Sequence, residues 1–426
     1  MKENVQTTRL TGGLTILTDK MPGVRSATLG FFFRAGSRHE PSELNGISHF
    51  IEHTVFKGTA RRSALEIAIE QDRLGGGLDA FTTHEETGFA IKVIDDQIPA
   101  AFDLIADMLA SPAFVEQELK SEQNVIIEEM KMTEDSPEDF LGELFSEAYF
   151  PGHPLGLNIA GTPETVRSFT RDATAKYHAD VFNASNLVIA AAGNVDHKQI
   201  VKLAKKHFAV GALPKLHLSD VELSAPDIAA PILIKQNSTL EQAHMLLATP
   251  FPGATDERRY AADLLSNILG GGTSSRLWQK IREERGLAYS VGASAVMYKD
   301  CGVFMIFAGT SPKQTKQVVE LSINEMRNVV ATGVTEAELE LAKDQSVASI
   351  LLSLEDSAAR AATLAQSEML HGRQITVEET LAKIDAVSLK DLHALAREYF
   401  VTEKIAFAAL GNLKALKIDR KKLSVN

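Results

Sequence analysis

The chain has 426 residues, enough for two domains of about 200 residues each. Hydrophobic residues make up 44% and charged residues 23%, proportions that suit substantial cores, and the formal net charge of −12 leaves no basic excess to neutralise nucleic-acid phosphates. No run approaches the roughly 18–20 consecutive apolar residues of a membrane span, and none of signal-peptide length follows the first lysine. The single cysteine, Cys301, excludes an intrachain disulfide, so a cytoplasmic location without membrane or nucleic-acid partners is expected.

In chain order, apolar patterning predicts strands over 13–17 and 26–33 and helices near 43–57 and 62–74. A strand pair at 78–83 and 87–94 follows. Helical periodicity then fills most of 97–182, including a long helix over 114–132, before a buried strand at 187–195. Residues 211–231 carry three prolines and no helical period. The chain therefore divides into a domain at 1–212, a linker at 213–231 and a domain at 232–426. Beyond the linker, strands are predicted near 232–235 and 243–249, helices over 256–269 and 274–284, and strands over 287–296 and 302–308. Long helices cover 312–399, and a last strand runs over 405–413.

The two halves end alike. Tyr177 to Phe182, a short loop and Leu187 to Val195 are matched by Ala396 to Phe400, a short loop and Ile405 to Leu413. Gly193-Asn194 and Gly411-Asn412 close the two strands, 218 residues apart. Helix, loop, strand and turn in one order point to an internal duplication. Strand pairs joined by short turns imply mainly antiparallel sheet with helices packed on one face. The expected class is α+β, with two duplicated domains.

The chemistry concentrates at His49-Phe50-Ile51-Glu52-His53. On a helix, positions i and i+4 share a face, so His49 and His53 can chelate one ion through their imidazoles. Glu52 lies on the same side, where its carboxylate can hold a water. Zinc suits imidazole and carboxylate ligands with one open position. A third protein ligand is then required, and the helix over 114–132 offers Glu122, Glu128 and Glu129. Glu122 and Glu129 are two turns apart and point the same way. One glutamate could ligate while another braces a histidine. The same residues also suit an acidic face in water, and spacing alone does not choose.

The arrangement resembles the insulinase/pitrilysin family of zinc peptidases, in particular short bacterial members similar to the mitochondrial processing peptidase. The resemblance is carried by Arg34-Ala35-Gly36-Ser37-Arg38-His39-Glu40, by Asn45 to His53, and by Phe56-Lys57-Gly58-Thr59. It continues through Leu74 to Thr82, Val125 to Met130, Ser274 to Leu277 and Arg282 to Ser290. It implies that His49, His53 and Glu129 bind one Zn2+ per chain, that Glu52 is the general base, and that Glu122 supports the site. It implies further that Arg282 and Tyr289 bind the substrate, and that Asp79, Ala80 and Phe81 lie on a sheet edge that pairs with an extended peptide. Family members of about twice this length carry four related domains. One zinc motif and one Arg/Tyr pair in two domains imply a homodimer whose active sites are completed in trans, cleaving peptides or unfolded protein segments in a clamshell chamber.

One departure is Asp79, where the family carries asparagine. It predicts a shift of preference toward basic residues or a free amino terminus. A non-catalytic scaffold subunit and a zinc hydrolase acting on another amide are the alternatives. Retention of both residue sets weighs against the scaffold. His39, His84, His153 and His244 form no helical pair and are expected to be structural or superficial. The Gly75 to Gly77 and Gly270 to Gly272 runs are read as helix C-terminal turns needing positive φ.

Overall fold

A computed structural model describes residues 4–208 and 223–425. Of the expected linker, residues 213–222 lie outside the described residues, and 223–231 carry no regular structure.

The first sheet contains β1 (Val5–Arg9), β2 (Thr15–Lys20), β3 (Ser26–Phe33), β4 (Leu78–Thr82), β5 (Thr87–Ile94) and β6 (Leu187–Gly193), in the order β1-β2-β6-β3-β5-β4. The second contains β7 (Ile232–Gln236), β8 (Ala243–Phe251), β9 (Ala288–Met297), β10 (Gly302–Thr310) and β11 (Ala406–Gly411), in the order β7-β11-β8-β10-β9. In each sheet one strand runs parallel to the last strand of its half, β2 with β6 and β7 with β11. The remaining pairs are antiparallel. The duplication read from the strand endings thus extends to whole-sheet topology, with β1 as an added edge. β6 and β11 are buried at every position, as central strands with both faces covered must be.

Alternation along β3 divides its phenylalanines between two layers. Phe31 and Phe33 enter the main core, beside helices Ile47–Thr54 and Ile98–Ala110, whereas Phe32 packs on the other face with Ala361, Leu364 and Ala365. That second face is covered by helix Ser357–His371 from the far half of the sequence. The second sheet has a reciprocal arrangement. Its outer face, including Ala248, Ala406 and Ala408, packs on Leu141, Phe145 and Tyr149 of helix Pro137–Tyr149.

The compact units are therefore not contiguous halves. One comprises Met1–Met132, Leu157–Ser224 and Leu351–Thr376; the other comprises Thr133–Gly156, Ala225–Ile350 and Val377–Asn426. A cut at 213–231 misses this exchange, because amphipathic periodicity shows that a helix has a buried face but not which sheet it buries it against. In the first unit Arg360 bonds Asp19, and Arg9 bonds Glu368 at 2.7 Å. Among the described residues no helix is long and apolar enough to cross a membrane.

The two glycine runs differ. Gly75 ends helix Ala64–Leu74 at φ +67, as its turn predicts. Gly271 has φ −82, and Gly270 is required for another reason: a Cβ there would lie 2.1 Å from the backbone nitrogen of Ala293 on β9. Close packing of helix on strand, not positive φ, selects that glycine.

Candidate metal centre

Helix Ile47–Thr54 begins where the chain must turn sharply. Gly46 precedes it at φ +96, and a Cβ there would lie 2.5 Å from the carbonyl oxygen of Ala160. Gly46 N–H and Ser48 N–H each donate to the buried Glu40 carboxylate at 2.7 Å. A carboxylate at this end satisfies free N–H groups and complements the helix dipole. Burial pushes the Glu40 pKa up to about 7, opposed by those two donors. Ile47, Phe50 and Ile51 enter the core, and the remaining face carries the histidines.

The His49 and His53 rings lie one turn apart with centroids separated by 4.5 Å. Glu129 arrives from helix Glu116–Asp135, its Oε2 3.8 Å from His49 Nε2 and 3.6 Å from His53 Nε2. One donor atom from each of the three falls within 4.8 Å of the others, a set that could hold a metal ion. Two imidazoles and one carboxylate match the three-ligand sites that leave zinc an open position. Among the described residues no other such group of three His, Cys, Asp or Glu side chains occurs.

Glu122, two turns before Glu129, plays a different part. Its Oε1 accepts from His53 Nδ1 at 2.9 Å, and its Oε2 is 2.7 Å from Lys57 Nζ. A proton held on Nδ1 leaves the Nε2 lone pair for a metal. Burial would raise the Glu122 pKa, but the hydrogen bonds from His53 and Lys57 hold it below the ordinary carboxylate value. Burial also acts to lower the His53 pKa, and the bond to Glu122 with the charges of Glu52 and Glu129 raises it on balance. Burial, reinforced by the charge of His53, brings His49 down to about 4, so its ring is neutral at pH 7. Glu128 points elsewhere and pairs with Lys131 at 2.7 Å. These contacts distinguish the three glutamates, which spacing alone does not: Glu129 faces the two Nε2 atoms, Glu122 faces His53 Nδ1, and Glu128 faces Lys131.

Glu52 is 8% exposed, and its Oε2 accepts from Thr82 Oγ1 at 2.6 Å. Burial raises its pKa, opposed first by the Thr82 bond and then by the charge of His53. Thr82 ends β4, the outermost strand of its sheet. Leu78 and Ala80 pack on the core, while Asp79 and Phe81 alternate with them and are exposed. Asp79 therefore lies on the opposite strand face from Thr82, so its charge faces away from Glu52.

Neither Lys57 nor Thr82 is marked as a site residue by the sequence, although both lie in segments that carry the family resemblance. Strand parity with Leu78 and Ala80 could have placed Thr82 on their face, though not against Glu52; Lys57 left no comparable signal. At the base of the ligand helix, Phe114 adopts φ +46, the one positive φ outside glycine among the described residues. Its buried ring stands edge-on, 5.4 Å from that of His178.

The residues expected to bind substrate from the second half belong to the other compact unit. Arg282 lies on a π-helical turn, Trp278–Glu283, where Glu284 N–H donates to Gln279 O at 2.9 Å. Tyr289 lies on β9, also an outermost strand, and is 78% exposed. Pairing of β9 with β10 shifts between Gly309 and Thr310, from Ser290 to Ala288, so Tyr289 has no ladder partner. π-turns and β-bulges both re-aim side chains and recur at functional sites.

Residues 15–163 match the family model Insulinase (Peptidase family M16), and residues 168–346 match Peptidase M16 inactive domain. An uncharacterized zinc protease of Streptomyces coelicolor is 38% identical over 98% of this chain and 91% of its own. One of Bacillus subtilis is 39% identical over 93% of this chain and 96% of its own. In structure, a peptidase M16 inactive domain from Pseudomonas fluorescens superposes with a TM-score of 0.89 at 21% identity, covering 97% of this chain and 99% of that one. A protease from Helicobacter pylori gives 0.86 at 23%, covering 96% and 100%. The two solved structures share this fold, and the family models together with the sequence identity to the two bacterial relatives place this chain in the insulinase family, peptidase family M16.

Proposed function

We propose that this chain is a zinc-dependent endopeptidase that hydrolyses peptides or unfolded protein segments. The observation that carries the reading is the convergence of His49, His53 and Glu129 beside a buried carboxylate, Glu52, that Thr82 holds outside the ligand set. Fold alone would not suffice, since a protein named an inactive domain shares it.

His49, His53 and Glu129 would hold one Zn2+ per chain, which when bound supplies a Lewis acid that activates water and polarises a carbonyl. Glu52 takes the proton of the attacking water and delivers it to the leaving amine nitrogen. A pKa raised by burial suits a group that must both accept and return a proton. An extended peptide pairs with the free edge of β4 along Asp79, Ala80 and Phe81. Arg282 and Tyr289 donate to the substrate carbonyl oxygen. With one ligand set and one Arg/Tyr pair per chain, two chains form a homodimer and complete each other's sites in trans. A single cysteine supports action in the cytoplasm.

Digestion of a peptide library by the parent, with and without chelator, and by Glu52→Gln tests the reaction. Mass spectrometry should find cleavage in the untreated parent alone; cleavage that persists in Glu52→Gln ends the reading. Mixing Glu52→Gln with Tyr289→Phe chains tests the shared site. Recovered activity supports it, and no recovery despite subunit exchange shows each chain to be self-contained.

A further inference from the structure

Two arginines of one short segment are held in opposite ways. Arg276 spends its guanidinium on Glu338, with bonds of 2.6 and 2.8 Å, and on the carbonyl of Gly333. Arg282 makes no side-chain hydrogen bond or ion pair with any described residue. Instead its Cζ lies 4.0 Å from the Trp278 ring centroid and 4.9 Å from that of Tyr289. The Trp278 ring is itself fixed: its Nε1–H donates to Glu283 at 3.0 Å, and its half-buried body packs on the second core.

Stacking differs from ion pairing in what it leaves available. The N–H donors of a guanidinium lie in its plane, at its edge, while an aromatic ring engages its face. A carboxylate partner would compete with an incoming oxygen for those donors, and a ring does not. Trp278 and Arg282 are four residues apart within the π-helical turn and share one face, and Tyr289, at the bulge of β9, meets the same cation.

We propose that Trp278 is a positioning residue for substrate binding, a fixed aromatic wall that holds Arg282 with its donors open for a peptide carbonyl. This rests on the reading that Arg282 binds substrate. Because Trp278 is the chain's only tryptophan, its emission reports directly on the stack.

The test compares Trp278→Leu, Trp278→Phe and Arg282→Met with the parent, using the full zinc-loaded chain and a quenched fluorogenic decapeptide. Trp278→Leu should raise KM about tenfold with kcat changed less than about twofold, and Trp278→Phe should restore most of the loss. Zinc content should equal that of the parent in all three. In Glu52→Gln protein, an end-blocked, tryptophan-free decapeptide should shift the tryptophan emission, and adding Arg282→Met should abolish the shift.

Parent-like kinetics for Trp278→Leu, with a damaged Arg282→Met, overturn the Trp278 proposal and leave the reading of Arg282 standing. Parent-like kinetics for Arg282→Met overturn that reading itself. If Trp278→Leu does not fold, the emission titration decides: no change while anisotropy shows the labelled peptide bound overturns the proposal. Failure of Trp278→Phe to restore KM, with its fold intact, overturns stacking as the cause.

Discussion

The two halves share a strand order and a parallel-then-antiparallel pattern, yet the edge of each sheet is built differently. Beside β4, regular elements carry a dense polar network: Glu40 caps the helix, Glu122 bridges His53 and Lys57, and Thr82 holds Glu52. Beside β9, a π-helical turn and a bulge carry a cation held by rings, with its donors uncommitted. The difference teaches what each edge is suited for. Holding a small ion requires donors fixed relative to one another, which a buttressed helix achieves. Meeting an incoming peptide requires donors that nothing else has claimed.

Variants of the groups around the two histidines and Glu52 should damage metal binding or proton transfer, and variants of the second edge should damage neither. The largest effect belongs to the ligands: His53→Ala or Glu129→Gln should abolish stoichiometric zinc, read by atomic absorption after dialysis, while Arg282→Met keeps it. Glu122→Gln, which weakens the brace on His53, should lower zinc affinity about 10- to 100-fold in chelator competition. Thr82→Val should leave zinc bound and lower kcat about tenfold, on the order of one lost hydrogen bond to a charged group, with Thr82→Ser restoring it. Loss of zinc from Thr82→Val would break the separation between base and ligands.

The Arg276–Glu338 pair tests the second half through pH. The Arg276 hydrogen bond first, and then the Thr335 N–H and hydroxyl donors, draw the Glu338 pKa from 4.5 down to about 2 against its burial. A carboxylate with a depressed folded pKa contributes stability that is fully present above its ordinary value and lost as pH falls through the folded one. Arg276→Met should therefore cost about 1–2 kcal/mol at neutral pH, with the gap from the parent closing between pH 4.5 and about 2 in urea titrations. A gap that does not narrow there would remove the pair from the account. The smallest effect is expected from Asp79→Asn: a change of about threefold or less in preference between basic and neutral peptides, with zinc affinity unchanged, because the side chain is exposed and faces away from Glu52.

Much of the first edge was legible because it is regular. A spacing of four on a helix places two imidazoles together whatever surrounds them; strand alternation also sets Thr82 opposite Asp79, but nothing in the sequence marks that threonine as a partner of Glu52. The roles of Glu122 and Glu129 were not legible from periodicity, since residues seven apart point the same way. What separates them is burial and partners: Glu122 is 4% exposed between His53 and Lys57, and Glu129 stands half-exposed against the two Nε2 atoms. The second edge was less legible, because an apolar period over 274–284 reads as an ordinary helix and a bulge leaves no mark in hydropathy.

The sequence by itself determined the α+β class, the repeated helix, loop, strand and turn that end the two halves, and the pairing of His49 with His53, since these depend on local periodicity. Only the tertiary structure decided that helices Pro137–Tyr149 and Ser357–His371 exchange between units, that Glu122 and Glu129 divide bracing from approach to the imidazoles, and that Trp278 and Tyr289 enclose Arg282. Each depends on which surfaces meet across long stretches of chain. A hydrophobic face or an open donor specifies that it needs a partner, and leaves the choice of partner to packing.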